Sequence, residues 1–116
     1  MLILSSAFPL GIIMTIKKYD KLVRDKIPDI ITQNGKICKF RIAHREEYRK
    51  KLMEKLQEET SEFLETPCVE ELADIKEVID ALLVEYRWTS LKAMVQFKKI
   101  TRGGFDKRII LQEVTE

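Results

Sequence analysis

The chain has 116 residues, 45% of them apolar and 34% charged, with a formal net charge of +2. That length suits one domain with a modest core, and the composition is that of a globular protein rather than a disordered tail. A nearly neutral balance gives no global argument for a nucleic-acid surface, so no nucleic-acid partner is expected and charge has to be read locally.

The first fourteen residues are apolar, but they lack a basic leading segment and contain Pro9 and Gly11. They are too short to cross a bilayer and do not read as a targeting signal, so no membrane association is expected. Met14 is an alternative start. Residues 1–14 are taken as an extension, with a packed strand as one reading, and residues 15–116 as a single domain.

Tyr19 to Ile27 is a charge-rich segment leading into a short helix. Pro28 suits its first turn, and Asn34-Gly35 stops it. Between Lys36 and Ala43 the loose spacing of Ile37, Phe40 and Ile42 suggests a short edge strand. Cys38 and Cys68 are the only cysteines, and no CxxC or Cys/His cluster accompanies them. Free thiols in a reducing cytoplasm are the expectation, with His44 in a structural or solvent-facing role.

A long helix is predicted from about Arg45 to Glu65, with Tyr48, Leu52, Leu56 and Phe63 at helical spacing. Thr66 is expected to cap the next helix, with Pro67 in its first turn. That helix runs to about Arg87 with Leu72, Ile75, Ile79, Leu82, Leu83 and Tyr86 on a broad stripe. So short a connection makes the two helices antiparallel neighbours. Thr89 or Ser90 caps a last helix carrying Leu91, Met94, Val95 and Phe97, which stops at Gly103-Gly104. Ile109 to Leu111 can add a short strand, pairing with Lys36 to Ala43 as a minor β-hairpin. The fold class is therefore mainly all-α, an antiparallel helical bundle.

Two acid pairs stand out: Glu59-Thr-Ser-Glu62 and Glu71-Leu-Ala-Asp74. A three-residue separation puts each pair on one helical face. Their azimuth matters more than their spacing. Glu59 projects roughly 20° from Leu52 and roughly 40° from Phe63, inside the apolar stripe. Glu71 projects between Val78 and Leu82, while Glu62 lies at the stripe's edge beside Lys55 and Asp74 just beyond Val78. A carboxylate aimed at a core costs several kcal/mol unless it is neutralised. A hard divalent cation does this, and oxygen-only ligands suit Mg²⁺ or Mn²⁺ rather than zinc. The plain alternative is pairing with Lys51, Lys55 or Lys76, or exposure to water. Glu58 and Glu77 are at best supporting groups around such a site, and Glu54, Glu65 and Glu70 project to the polar side.

These residues resemble the all-α nucleotide pyrophosphohydrolases, the MazG and phosphoribosyl-ATP pyrophosphohydrolase superfamily, whose signature is ExxE followed by ExxD on consecutive antiparallel helices. The matches are Glu59-xx-Glu62 and Glu71-xx-Asp74. The chain looks especially like a small single-domain group that opens with a segment like YDKLVRDKIPDII, here Tyr19 to Ile31. That group ends with one like RGGFDKRIIL, here Arg102 to Leu111. The resemblance implies a MazG-like bundle completed by a second copy, a homodimer or higher oligomer. It also implies Mg²⁺-dependent cleavage between the α- and β-phosphates of a nucleoside triphosphate, of house-cleaning type, or of a phosphoribosyl-ATP-like substrate. The products would be a monophosphate and pyrophosphate.

On this reading Glu59, Glu62, Glu71 and Asp74 are the metal ligands, and Glu59 or Glu62 instead orients and deprotonates the attacking water. Phosphoryl transfer also needs cations against the non-bridging oxygens. Lys21, Arg24 and Lys26 form one basic cluster, which Asp25 can orient, and Lys98, Lys99 and Arg102 form another. Lys55 joins them as a substrate-binding candidate. Basic residues in a last helical turn also complement the helix dipole. Gly103 and Gly104 allow close backbone approach to a ligand, and Phe105 offers a stacking surface. Tyr86 and Trp88 are read as core or subunit contacts. A non-catalytic helical module that senses nucleotide or mediates dimerisation is the alternative.

Overall fold

The computed structural model describes residues 15–116 in full and, before them, the backbone of residues 2–4 and 13–14. Two short strands, β1 (Leu2–Leu4) and β2 (Ile13–Thr15), pair antiparallel with Ile3 opposite Met14. The strand read into the extension thus falls partly on described backbone. Residues 1 and 5–12 lie outside the described residues.

Four helices follow: α1 (Ile27–Gln33), α2 (Arg45–Glu65), α3 (Val69–Tyr86) and α4 (Leu91–Arg102). The protein is mainly helical, as the periodicity requires. The expected second hairpin does not form: neither 36–43 nor 109–111 is a strand. Ile37, Phe40 and Ile42 are exposed, as are Ile109, Ile110 and Leu111. With no apolar face to bury and no ladder, scattered β-branched residues do not make a strand.

The chain divides into two compact units, 1–55 and 56–116, with the division inside α2. In the first, Ile27 N–H donates to the Arg24 carbonyl at 3.0 Å and Pro28 occupies the opening turn of α1. The helix ends at Asn34, and Gly35 at φ 79° lets Lys36 N–H reach back to the Ile31 carbonyl at 3.2 Å. A non-glycine side chain would be strained in that conformation. His44 precedes α2, and its Nδ1 accepts the Glu47 N–H at 3.3 Å, covering a donor the helix leaves unsatisfied.

An ionic cluster surrounds this helix start. Arg41 hydrogen-bonds both carboxylate oxygens of Glu47 and lies 3.7 Å from Asp20. Lys51 donates to the Asp20 carbonyl at 2.8 Å and lies 3.3 Å from Glu54. The hydrogen bond from Arg41 holds the Glu47 carboxyl below its usual range, and the same contact raises the Arg41 guanidinium. Asp20 sits at a positive φ of 47°, tolerable for an aspartate. Among the described residues of this unit, the buried apolar one is Leu52, 2% exposed.

In the second unit, α2 ends where the chain meets Thr66-Pro67, because the residue before proline is pushed out of the helical region. Thr66 was expected to cap α3, but its N–H still bonds the Glu62 carbonyl at 2.9 Å, which keeps it on the end of α2. Cys68 takes the cap position in extended backbone (φ −158°, ψ 163°), and its carbonyl accepts Leu72 N–H at 3.2 Å. Two further residues are needed to reverse the chain. The C-terminal half of α2 and α3 thus form an antiparallel hairpin.

Helix α3 closes on Arg87 at φ 56°, with Trp88 N–H bonding the Leu83 carbonyl at 3.0 Å, a left-handed end usually given to glycine. Helix α4 stops at Gly103, φ 84°, as expected. Val78 and Leu82 are the buried apolar residues of this unit. Leu91, Met94, Val95, Phe97 and Ile100 on α4 are all exposed.

Candidate metal centre

The two longest helices place three acids together. Glu59 comes from α2, one and a half turns before its end, and Glu71 and Asp74 from the first turns of α3. One carboxylate oxygen from each lies within 4.8 Å of the others. The hairpin explains the meeting. The three-residue turn sets the register, and the apolar stripe that buries Val78 and Leu82 carries Glu71 inward with it.

Burial follows the helical projection. Glu59 is 6% exposed, the one buried charged residue among those described, and Glu71 and Asp74 are half-buried. Glu71 Oε2 is removed from solvent and accepts no hydrogen bond. Glu59 and Asp74 do take part in polar or electrostatic interactions within the described chain. The weight therefore falls on Glu71, since a buried carboxylate oxygen left without a donor is expensive and rare in a folded protein.

The donor set fits a hard cation. Oxygens sharing one octahedral Mg²⁺ at about 2.1 Å lie about 3 Å apart when adjacent and about 4.2 Å apart when opposite. A spread of up to 4.8 Å contracts to these spacings when each side chain moves by about 1 Å. The absence of nitrogen and sulfur donors in this group disfavours zinc or copper.

The fourth expected ligand is not brought in. Glu62 is exposed and lies outside the three-acid group. It stands one turn nearer the end of α2, at the edge of the stripe, where the projection had already put it. Glu77 is also exposed, while Glu58 is half-buried.

The candidate phosphate ligands fall in both units. Lys21, Arg24 and Lys26 are exposed in the first, Lys26 as the residue capping α1 without a side-chain hydrogen bond. Lys55 is half-buried. In the second unit Lys99 and Arg102 occupy the last turn of α4, both exposed, where they complement the helix dipole. Gly104 has room for a side chain, the nearest atom to an added Cβ being Lys99 Cε at 4.0 Å. Phe105 is 97% exposed. Trp88 stacks on Tyr86 with ring centroids 4.6 Å apart, so these rings serve each other rather than a core.

Two features of the first unit lie outside the sequence-based expectations. One is the His44 cap, which the His44 to Glu47 spacing at a helix start would have signalled. The other is the ionic cluster of Asp20, Arg41, Glu47 and Lys51, which has no signal in local spacing. Among the described residues, no helix is long and apolar enough to cross a membrane. No family model, no curated protein and no solved structure matches the chain.

Proposed function

We propose that the chain is a Mg²⁺-dependent nucleotide pyrophosphohydrolase, working in a homo-oligomer, that splits a nucleoside triphosphate into a monophosphate and pyrophosphate. The observation that carries the reading is the buried Glu71 oxygen, without a hydrogen bond, beside Glu59 and Asp74. Glu59, Glu71 and Asp74 would hold the cation. When bound, Mg²⁺ or Mn²⁺ supplies positive charge that screens the triphosphate and favours the ionised form of the attacking water.

The chain's own groups do the remaining work. In this reading Glu62, exposed one turn along α2, or else Glu59 accepts the proton from water. The water oxygen bonds to the α-phosphorus as the α–β bridging oxygen leaves with pyrophosphate. Lys99 and Arg102 offer positive charge to the departing phosphates. The number of exposed apolar residues on α4 supports completion of the bundle by a second copy.

The exposure of Glu62 favours one second reading, a non-catalytic module that senses nucleotide through three acids. Incubation with a panel of canonical and modified triphosphates, in Mg²⁺ and then in EDTA, separates the two. Mg²⁺-dependent release of monophosphate and pyrophosphate, lost in Glu59→Gln, is the expected result. Binding without turnover of any substrate selects the sensing module, and equal turnover by Glu59→Gln refutes the site.

A further inference from the structure

Two unsatisfied surfaces lie in the second unit, and each has what the other lacks. The first is a groove of about 480 Å³ between the end of α3 and the start of α4. Its walls are Leu83, Trp88, Leu91 and Val95, and Lys76 and Lys92 stand at its rim. Trp88, Leu91 and Val95 are exposed, so the groove presents an apolar floor to solvent. Lys76 is already engaged by Asp80 at 3.0 Å, which leaves Lys92 as the more available cation at the rim.

The second surface is the segment 108–116, which reads RIILQEVTE. It follows Gly103, at φ 84°, and a turn closed by Arg108 N–H to the Phe105 carbonyl (3.1 Å). Ile109, Ile110 and Leu111 are about four-fifths exposed and Val114 about two-thirds. The segment is therefore not seated on its own chain. A run of apolar residues at this exposure is unusual unless another surface covers it. Its later half carries Glu113 and Glu116 and no base, opposite in sign to the rim of the groove.

We propose that the segment 108–116 of one copy seats in the α3–α4 groove of a second copy, with its acids facing Lys92 and Lys76. Ile110 and Val114 fill the space over Trp88, Leu91 and Val95, and Glu113 meets Lys92. Exchange in both directions gives a two-fold dimer with two identical contacts, the self-complementary arrangement a closed pair requires. The charges select register and partner, while the apolar anchors supply affinity. The contact involves none of the three acids, so it stands or falls separately from the metal centre.

The test uses the full chain. Sedimentation equilibrium and native mass spectrometry should show a dimer for the wild type. Val95→Asp, in the groove, and Ile110→Asp, in the segment, should each weaken association at least tenfold with far-UV circular dichroism unchanged. An equimolar mixture of the two, one ¹⁵N-labelled, retains one intact contact per heterodimer. It should therefore pair better than either variant alone. The charge pair gives a second route through exposed positions. Lys92→Glu and Glu113→Lys should each weaken the dimer several-fold, and the double variant should recover it. A monomeric wild type overturns the proposal. So does a mixture no better than its components, which would mean that α4 packs on α4 without exchange of the segment. Failure of the charge double variant to recover would remove the Glu113–Lys92 register and with it the stated seating.

Discussion

Replacing Glu71 by glutamine tests the metal centre through stability, without any assumption about substrate. In the absence of cation, three carboxylates with oxygens within 4.8 Å repel one another. At that distance an ionised pair is unfavourable by roughly 3.5 kcal/mol at an effective dielectric of about 20. Glu71→Gln removes two such pairs, and the amide nitrogen can donate to Glu59 or Asp74. Because Glu71 and Asp74 are half-exposed, solvent screening cuts the gain to about 1–3 kcal/mol. At about 4 °C per kcal/mol for a chain of this size, Tm in EDTA should rise by roughly 4–12 °C.

Mg²⁺ should close that gap. At a concentration about 100 times its Kd it stabilises the wild type by about 2.7 kcal/mol, and a variant lacking one ligand gains far less. Differential scanning fluorimetry across an Mg²⁺ titration reads both effects. A Glu71→Gln variant less stable than the wild type in EDTA, or an equal rise of both proteins in Mg²⁺, would refute a cation site at these carboxylates.

Other expectations follow from neighbouring features. Glu59→Gln should weaken Mg²⁺ binding by tenfold or more in isothermal titration, whereas Glu62→Gln, outside the three-acid group, should change it less than threefold. Leu52→Ala should cost about 2–4 kcal/mol by urea denaturation, since Leu52 is 2% exposed. Arg87→Gly should stabilise the end of α3 by about 1 kcal/mol, because Arg87 holds φ 56°. The Arg41–Glu47 contact lowers the Glu47 pKa in the folded state. Its contribution is therefore present above the unfolded carboxyl pKa and lost as pH falls through the folded one. Arg41→Ala should lower the urea midpoint at pH 7, and the difference should close as the solution is acidified below pH 4.

Where the sequence was informative, the signal was local and repeated. The bounds of α2 follow from apolar spacing together with Thr66-Pro67, and those of α1 and α4 from Pro28, Asn34-Gly35 and Gly103. The start of α3 did not follow so directly, because capping chemistry at Thr66 competes with a turn that must also reverse the chain. The pairing of 36–43 with 109–111 relied on long-range partnership, which residue spacing does not encode, and neither segment is a strand. For the site, azimuth on each helix was enough to bring Glu59, Glu71 and Asp74 together. Spacing in an ExxE pattern was not enough for Glu62. A step of three residues rotates it about 60° away from Glu59, and it ends on solvent. The Arg41 cluster and the His44 cap depend on side chains meeting around a helix start, which periodicity does not report.

The proposed reaction is Mg²⁺-dependent hydrolysis at the α-phosphorus, supported by three acids. Phosphorus NMR of a triphosphate panel with the wild-type protein, in water enriched in ¹⁸O, measures both the products and the phosphorus attacked. The expected products are monophosphate carrying the ¹⁸O and unlabelled pyrophosphate, formed with Mg²⁺ and lost in EDTA and in Glu59→Gln. Diphosphate with orthophosphate, or no turnover of any substrate, would contradict it.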